Sequence, residues 1–279
     1  MSQAEKWPVW RTLTRRKWVA MMLALATIVM IFPPGLPIPT DPITVDYYNM
    51  IEKLPSGSLV VWGYYLDYVA SYTGARDVHR AQLLHLVSRN AKIIMLSYGP
   101  VAPAAFEDMI RYANIEALGY KYGTDYVIFP FLAGEESAIA AAGDLWSTYT
   151  VDNRGNSLSS LPLLKGVKGV QDAKLGLMGS NVVTVPHMMV RQWGVKYGLP
   201  LIGSSYSEMS IYYNKYVFGC GPSGSLYELL TKNPGVELIK SDMTNIEGGI
   251  SLAMIFIGLV YSLRSKVPQK PKIPVKRGE

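Results

Sequence analysis

Two uncharged apolar runs bracket this chain and limit what it can become. The first, 18–32, reads WVAMMLALATIVMIF, and the second, 250–263, reads ISLAMIFIGLVYSL. At 1.5 Å of rise per residue, a helix over either covers roughly 21–23 Å of a hydrocarbon layer about 30 Å thick. Both are short for a span, but flanking groups extend them. Arg16, Lys17 and Trp18 border the first run, and Tyr261 and Arg264 border the second, so their polar tips reach the interface while their stems stay in lipid. A secretory leader is the alternative for the first run, but it needs a small-x-small cleavage site, and PPGLPIPTDP follows instead. A buried core helix is the alternative for the second. The basic, proline-bearing tail that follows it (Arg264, Lys266, Lys270, Lys272, Lys276 and Arg277) reads instead as a solvated end.

The net charge of +6 would suggest a nucleic-acid binder, but it resides in the two tails. The body between the runs is mildly acidic, which argues against nucleic acid as a partner. Basic residues on the outer side of each run place both termini in the cytoplasm and make the lipid bilayer the first expected partner. The expected organisation is a basic cytoplasmic tail (1–17), a transmembrane helix (18–36), an extracytoplasmic domain (37–245), a second transmembrane helix (246–263) and a second basic tail (264–279). Charged residues make up only 17% of the chain, below the roughly 25% of an average soluble protein, as two spans would produce.

Within the body, short apolar runs alternate with amphipathic ones. SLVVW (58–62), KIIMLS (92–97), DYVIFPF (125–131), AKLGLM (173–178) and LPLIG (199–203) read as strands. Helical spacing fills 77–90, 103–118, 135–146, 185–197 and 208–216. Five alternations predict an α/β fold, a Rossmann-like parallel sheet with helices on both faces. The segment 147–171, with DNRGN at 152–156, is left as an unusually long connection, either functional or packed by Leu161, Leu163 and Leu164.

Chemical motifs are sparse. Cys220 is the only cysteine, so neither an intrachain disulfide nor a cysteine zinc site can form. His79, His85 and His187 are scattered, and His79 and His85 fall on different helix faces. Gly219, Gly221 and Gly224 match G-x-G-x-x-G, whose glycines let a backbone approach a pyrophosphate at a helix N-terminus. That turn belongs after the first strand of a nucleotide domain. Here it comes last, with the second apolar run starting 26 residues later, so a tight backbone bend is the expected reading and no cofactor is expected. Ser204 and Ser205 lie in GSSYS, which lacks the closing glycine of a nucleophile elbow. Glu135 and Glu136 open a helix and complement its dipole.

In a doubly wound sheet a ligand sits beyond the strand C-termini. The residues there are Tyr64, Tyr65, Tyr98, Gly99, Glu135, Ser180, Asn181, Ser204 and Ser205, a set suited to binding more than to bond-breaking. Tyrosine is abundant, with 19 residues, and rigid amphipathic rings favour interfaces as well as cores.

Three stretches, GTDYVIFP (123–130), GNSLSSLPLLKGVKG (155–169) and WGVKYGLPLIG (193–203), together with the glycine turn before the last span, resemble a group of uncharacterised prokaryotic two-span membrane proteins. The resemblance implies an extracytoplasmic Rossmann-like domain and carries no activity, cofactor or catalytic residue with it. The sequence reading is a membrane-anchored, non-enzymatic subunit whose outer domain assembles with copies of itself or other proteins. The alternatives are a small-ligand sensor domain and, behind it, a nucleotide-binding enzyme or hydrolase.

Overall fold

The structure, a computed structural model, describes residues 15–32, 34, 42–65, 76–180, 182, 184–204, 217–218 and 246–256. The chain divides into two compact units, Met1–Leu36 with Ile239–Glu279, and Pro37–Leu238.

In the larger unit, apolar runs rich in β-branched residues pair in parallel, as strands covered on both faces do. They are Leu59–Tyr65 (β1), Lys92–Ser97 (β2), Tyr126–Phe131 (β3), Leu175–Ser180 (β4), Leu201–Ser204 (β5) and Val217–Phe218 (β6). The order is β3-β2-β1-β4-β5-β6. This is the Rossmann strand order, with its reversal point between β1 and β4. Register there is set by Tyr64 opposite Gly179 and Tyr65 opposite Ser180. The predicted α/β class is therefore observed.

Pro42–Glu52 (α2), Arg76–Ser88 (α3) and Ala102–Ala113 (α4) cover one face, where Tyr47, Ile51, Leu83, Leu86 and Phe106 pack on Val60, Trp62, Ile93 and Met95. Glu136–Ala141 (α5), Leu145–Thr148 (α6) and Thr184–Met189 (α7) cover the other, with Ile139, Leu145, Met189 and Trp193 on Val61, Ile94, Val127 and Phe129. The crossover from β3 to β4 carries the chain from one face to the other.

Several predicted boundaries move for local reasons. The helix expected over 103–118 stops at Asn114, which turns left-handed (φ 51°) while its N–H reaches Ile110 O and Arg111 O. A 3-10 turn, Ile115–Leu118, completes the stretch. The helix expected over 135–146 splits in two, because the Asp144 carboxylate accepts from Ser147 N and starts a fresh turn. α7 runs on into a π-helical segment, Val190–Val195. α2 was not anticipated at all. The predicted helix over 208–216 lies outside the described residues.

The long connection is a packed element and not a loose excursion. Three 3-10 turns, Leu158–Ser160, Pro162–Leu164 and Val170–Asp172, bury Leu158, Leu163, Leu164 and Val170. Its DNRGN tip is an Asx turn in which buried Asp152 accepts from Arg154 N, Asn156 N and Asn156 Nδ2. Asn153 N donates to Ile128 O and covers the outer edge of β3. Arg154 reaches Glu107 through two hydrogen bonds, 3.0 and 2.9 Å, and lies 3.8 Å over the Tyr122 ring. Both partners fix its planar guanidinium.

In the smaller unit, Arg15–Ile31 (α1) has 17 residues, about 26 Å of helix. A second helix occupies 246–256. Among the described residues no helix is long and apolar enough to cross a membrane. α1 nonetheless exposes Val19, Met21, Leu23, Ile28 and Ile31, and the 246–256 helix exposes Leu252, Ile255 and Phe256.

Candidate functional site

The reversal point of the strand order is where this architecture takes ligands. Four of the sequence-derived residues meet there or beside it. Tyr64 and Tyr65 end β1, Ser180 ends β4, and Tyr98 follows β2, its N–H donating to Tyr64 O at 3.0 Å. Glu135 stands apart, exposed beyond β3 at the start of α5, with φ at 47°. Ser204 closes the β5 backbone. Asn181, Ser205, Gly219, Gly221 and Gly224 lie outside the described residues.

Three of the four grouped residues point into the core. Tyr64, Tyr98 and Ser180 are 3%, 3% and 1% exposed. On the first face the Tyr64 ring lies 4.8 Å from Phe106 and 5.1 Å from His79, and its hydroxyl shares a 3.1 Å hydrogen bond with His79 Nδ1. A side chain at Gly179 would come within 2.8 Å of this ring. On the second face Trp193 packs over Gly63 and, with Leu199 and Leu201, over Gly176, donating from Nε1 to Ile139 O at 2.9 Å. Met189 lies beside it, so close that a Cβ on Gly63 would collide with its methyl group. These glycines open space for the protein's own aromatic rings; in a nucleotide fold the equivalent glycines open space for a phosphate.

The electrostatics match this packing. Complete burial drives the His79 pKa down to about 3, so its ring is neutral at physiological pH. Burial, reinforced by Tyr149, pushes the Tyr98 hydroxyl well above its ordinary value. The Ser180 hydroxyl is spent locally, accepting from Val182 N and donating to Val182 O. Among the described residues, the buried hydroxyls of Ser97 and Tyr98 meet no hydrogen-bond partner. Among the described residues no group of three metal-ligating side chains converges. His85 likewise pairs with Glu52, at 2.8 Å, and stacks on Tyr48.

The strand leading into the G-x-G-x-x-G turn is β6, at the edge of the sheet beside β5. A dinucleotide turn would follow β1 at the centre. Glu136, assigned from sequence to the helix dipole, also holds Arg191 through two hydrogen bonds, at 2.8 and 2.7 Å, and accepts from Gln192.

Sequence reasoning ended β1 at Trp62 and β4 at Met178, whereas the strands run on to Tyr65 and Ser180, and it missed His79, Ser97, Gly179 and Trp193 as parts of this centre. Alternation along KIIMLS puts Ser97 on the face of Ile93 and Met95, a polar residue in a core position. That was the one available signal. No family model matches the chain, and no curated protein matches it.

Proposed function

We propose that the chain is a membrane-anchored, non-enzymatic subunit, tethered by its two apolar ends, whose Rossmann-like body lies outside the cytoplasm and assembles with copies of itself or with other membrane proteins. The observation that carries this reading is the aromatic packing on both faces of the sheet beside the reversal point. Tyr64, His79 and Phe106 pack together on one face, and Trp193 packs over Gly63 on the other. Anchoring is supported by the apolar side chains that α1 and the 246–256 helix expose, because water penalises each of them and lipid does not.

A small-ligand sensor is the second reading, and the unpartnered Ser97 and Tyr98 hydroxyls favour it, since a buried polar group without a partner costs stability. The two readings separate by native mass. The full chain, extracted from its own membranes in mild detergent, is expected at a multiple of the chain mass or in a larger mixed complex. A monomer at every concentration tested would remove the assembly reading.

A further inference from the structure

Away from the reversal point, the packed connection between α6 and β4 builds a cleft of about 570 Å³. It stands near the N-terminal end of β3, where Leu163 N donates to Gly123 O at 2.9 Å. Buried Leu158 and Leu161 form its floor. Pro162 and the Trp146 indole form walls, and Ser159, Ser160, Lys165 and Gly166 complete the lining.

Its shape is preformed. Trp146 is 44% exposed, yet its Nε1 donates to Val167 O at 2.7 Å, so the ring is held in place and has only its apolar surface left to offer. Leu145 N donates to Lys168 O, and the Asp172 carboxylate accepts from Lys168 N and Gly169 N. Gln171 Nε2 donates to Gly143 O. Such a cleft gives a ligand its contacts without an ordering cost.

Its charge is one-sided. The lining's charged residue is Lys165, and no carboxylate among the described residues belongs to the lining. Among the described residues none lies in ion-pair distance of Lys165, which stays exposed at the cleft. A volume within the few hundred cubic ångströms of small-molecule sites, an indole wall, an aliphatic floor and a single cation specify one kind of occupant.

We propose that this cleft binds a small planar anion, an aromatic monocarboxylate, with its ring between Trp146 and the Leu158–Leu161 floor and its carboxylate on Lys165. A neutral ring would leave the cation unused, and a dianion would bring one charge too many. The proposal is independent of the assembly reading.

The probe is 2-naphthoate, with 2-naphthamide as its uncharged counterpart. The full chain in lipid nanodiscs carries 5-fluorotryptophan, and a Trp146→Phe variant identifies the Trp146 fluorine resonance. Naphthoate is expected to shift that resonance saturably, with a Kd of about 0.1–1 mM for a ligand of this size. Lys165→Gln, a change at an exposed side chain, should weaken naphthoate about fivefold and leave naphthamide within about twofold. The proposal is overturned if the Trp146 resonance fails to saturate, if all tryptophans shift together as in partition into lipid, or if Lys165→Gln affects both probes alike.

Discussion

Trp193→Ala is expected to destabilise the body by about 3–5 kcal/mol, the cost of deleting a fully buried large aromatic side chain. Trp193 has no solvent exposure. Its indole occupies the space left by Gly63 and Gly176, lies 6.2 Å from Tyr98 and donates to Ile139 O. Three losses coincide on truncation: apolar burial, packing on two central strands, and a hydrogen bond whose carbonyl is left buried. Trp193→Phe keeps most of the volume and should cost roughly half as much. Denaturant unfolding of the full chain in mild detergent measures both. A loss under 1 kcal/mol for the alanine variant would mean that the indole does not hold the centre of the sheet.

The second large effect is acid destabilisation through His79. Its pKa falls from 6.5 unfolded to about 3 folded, because burial excludes the charged ring. Below pH 6.5 the unfolded chain takes up a proton that the folded chain refuses, so stability falls as pH falls and levels off only near pH 3. At about 1.4 kcal/mol per unit, the loss reaches roughly 2 kcal/mol at pH 5 and about 4–5 kcal/mol near pH 3. His85, also lowered by burial, adds in the same direction. Glu52, Asp125 and Glu136 are held below their ordinary values, so their contribution is lost only under more acid conditions, below about pH 4.5. The window from pH 6.5 to 5 therefore belongs to the histidines. Stability flat across that window would show that His79 is not sealed in the core.

Local chemistry carried much of the fold. KIIMLS reads as a strand over 92–97 and is one, because a short apolar run rich in isoleucine, bounded by turns, has few other uses. The alternation of elements implied the layers. What failed were features set by single residues. Asn114 and Asp144 end and restart helices through one backbone conformation and one carboxylate, neither of which interrupts apolar periodicity. α2 was hidden by its neighbours: Pro42 closes the proline-rich PPGLPIPTDP, yet it begins a helix whose Tyr47 and Ile51, four apart, share its buried face.

The surroundings of the candidate residues were not legible. The apolar runs put Tyr64, Tyr65, Tyr98 and Ser180 just past strand ends, yet Tyr64, Tyr65 and Ser180 belong to the strands themselves. That Tyr64 turns inward depends on Gly179, 115 residues away and directly opposite it in register, and on His79 from the following helix. Such meetings follow from topology, and no window of sequence holds them. The same holds for the long connection, for which packing by its leucines was one of two open readings and whose cleft no window of sequence shows.

One labelling measurement tests directly whether the chain is tethered at both ends with its body beyond the cytoplasmic face. In a Cys220→Ser background a single cysteine is placed at exposed Ser159. A membrane-impermeant maleimide added to intact cells should modify it as fully as in permeabilised cells. Modification only after permeabilisation would place the body in the cytoplasm and contradict the account.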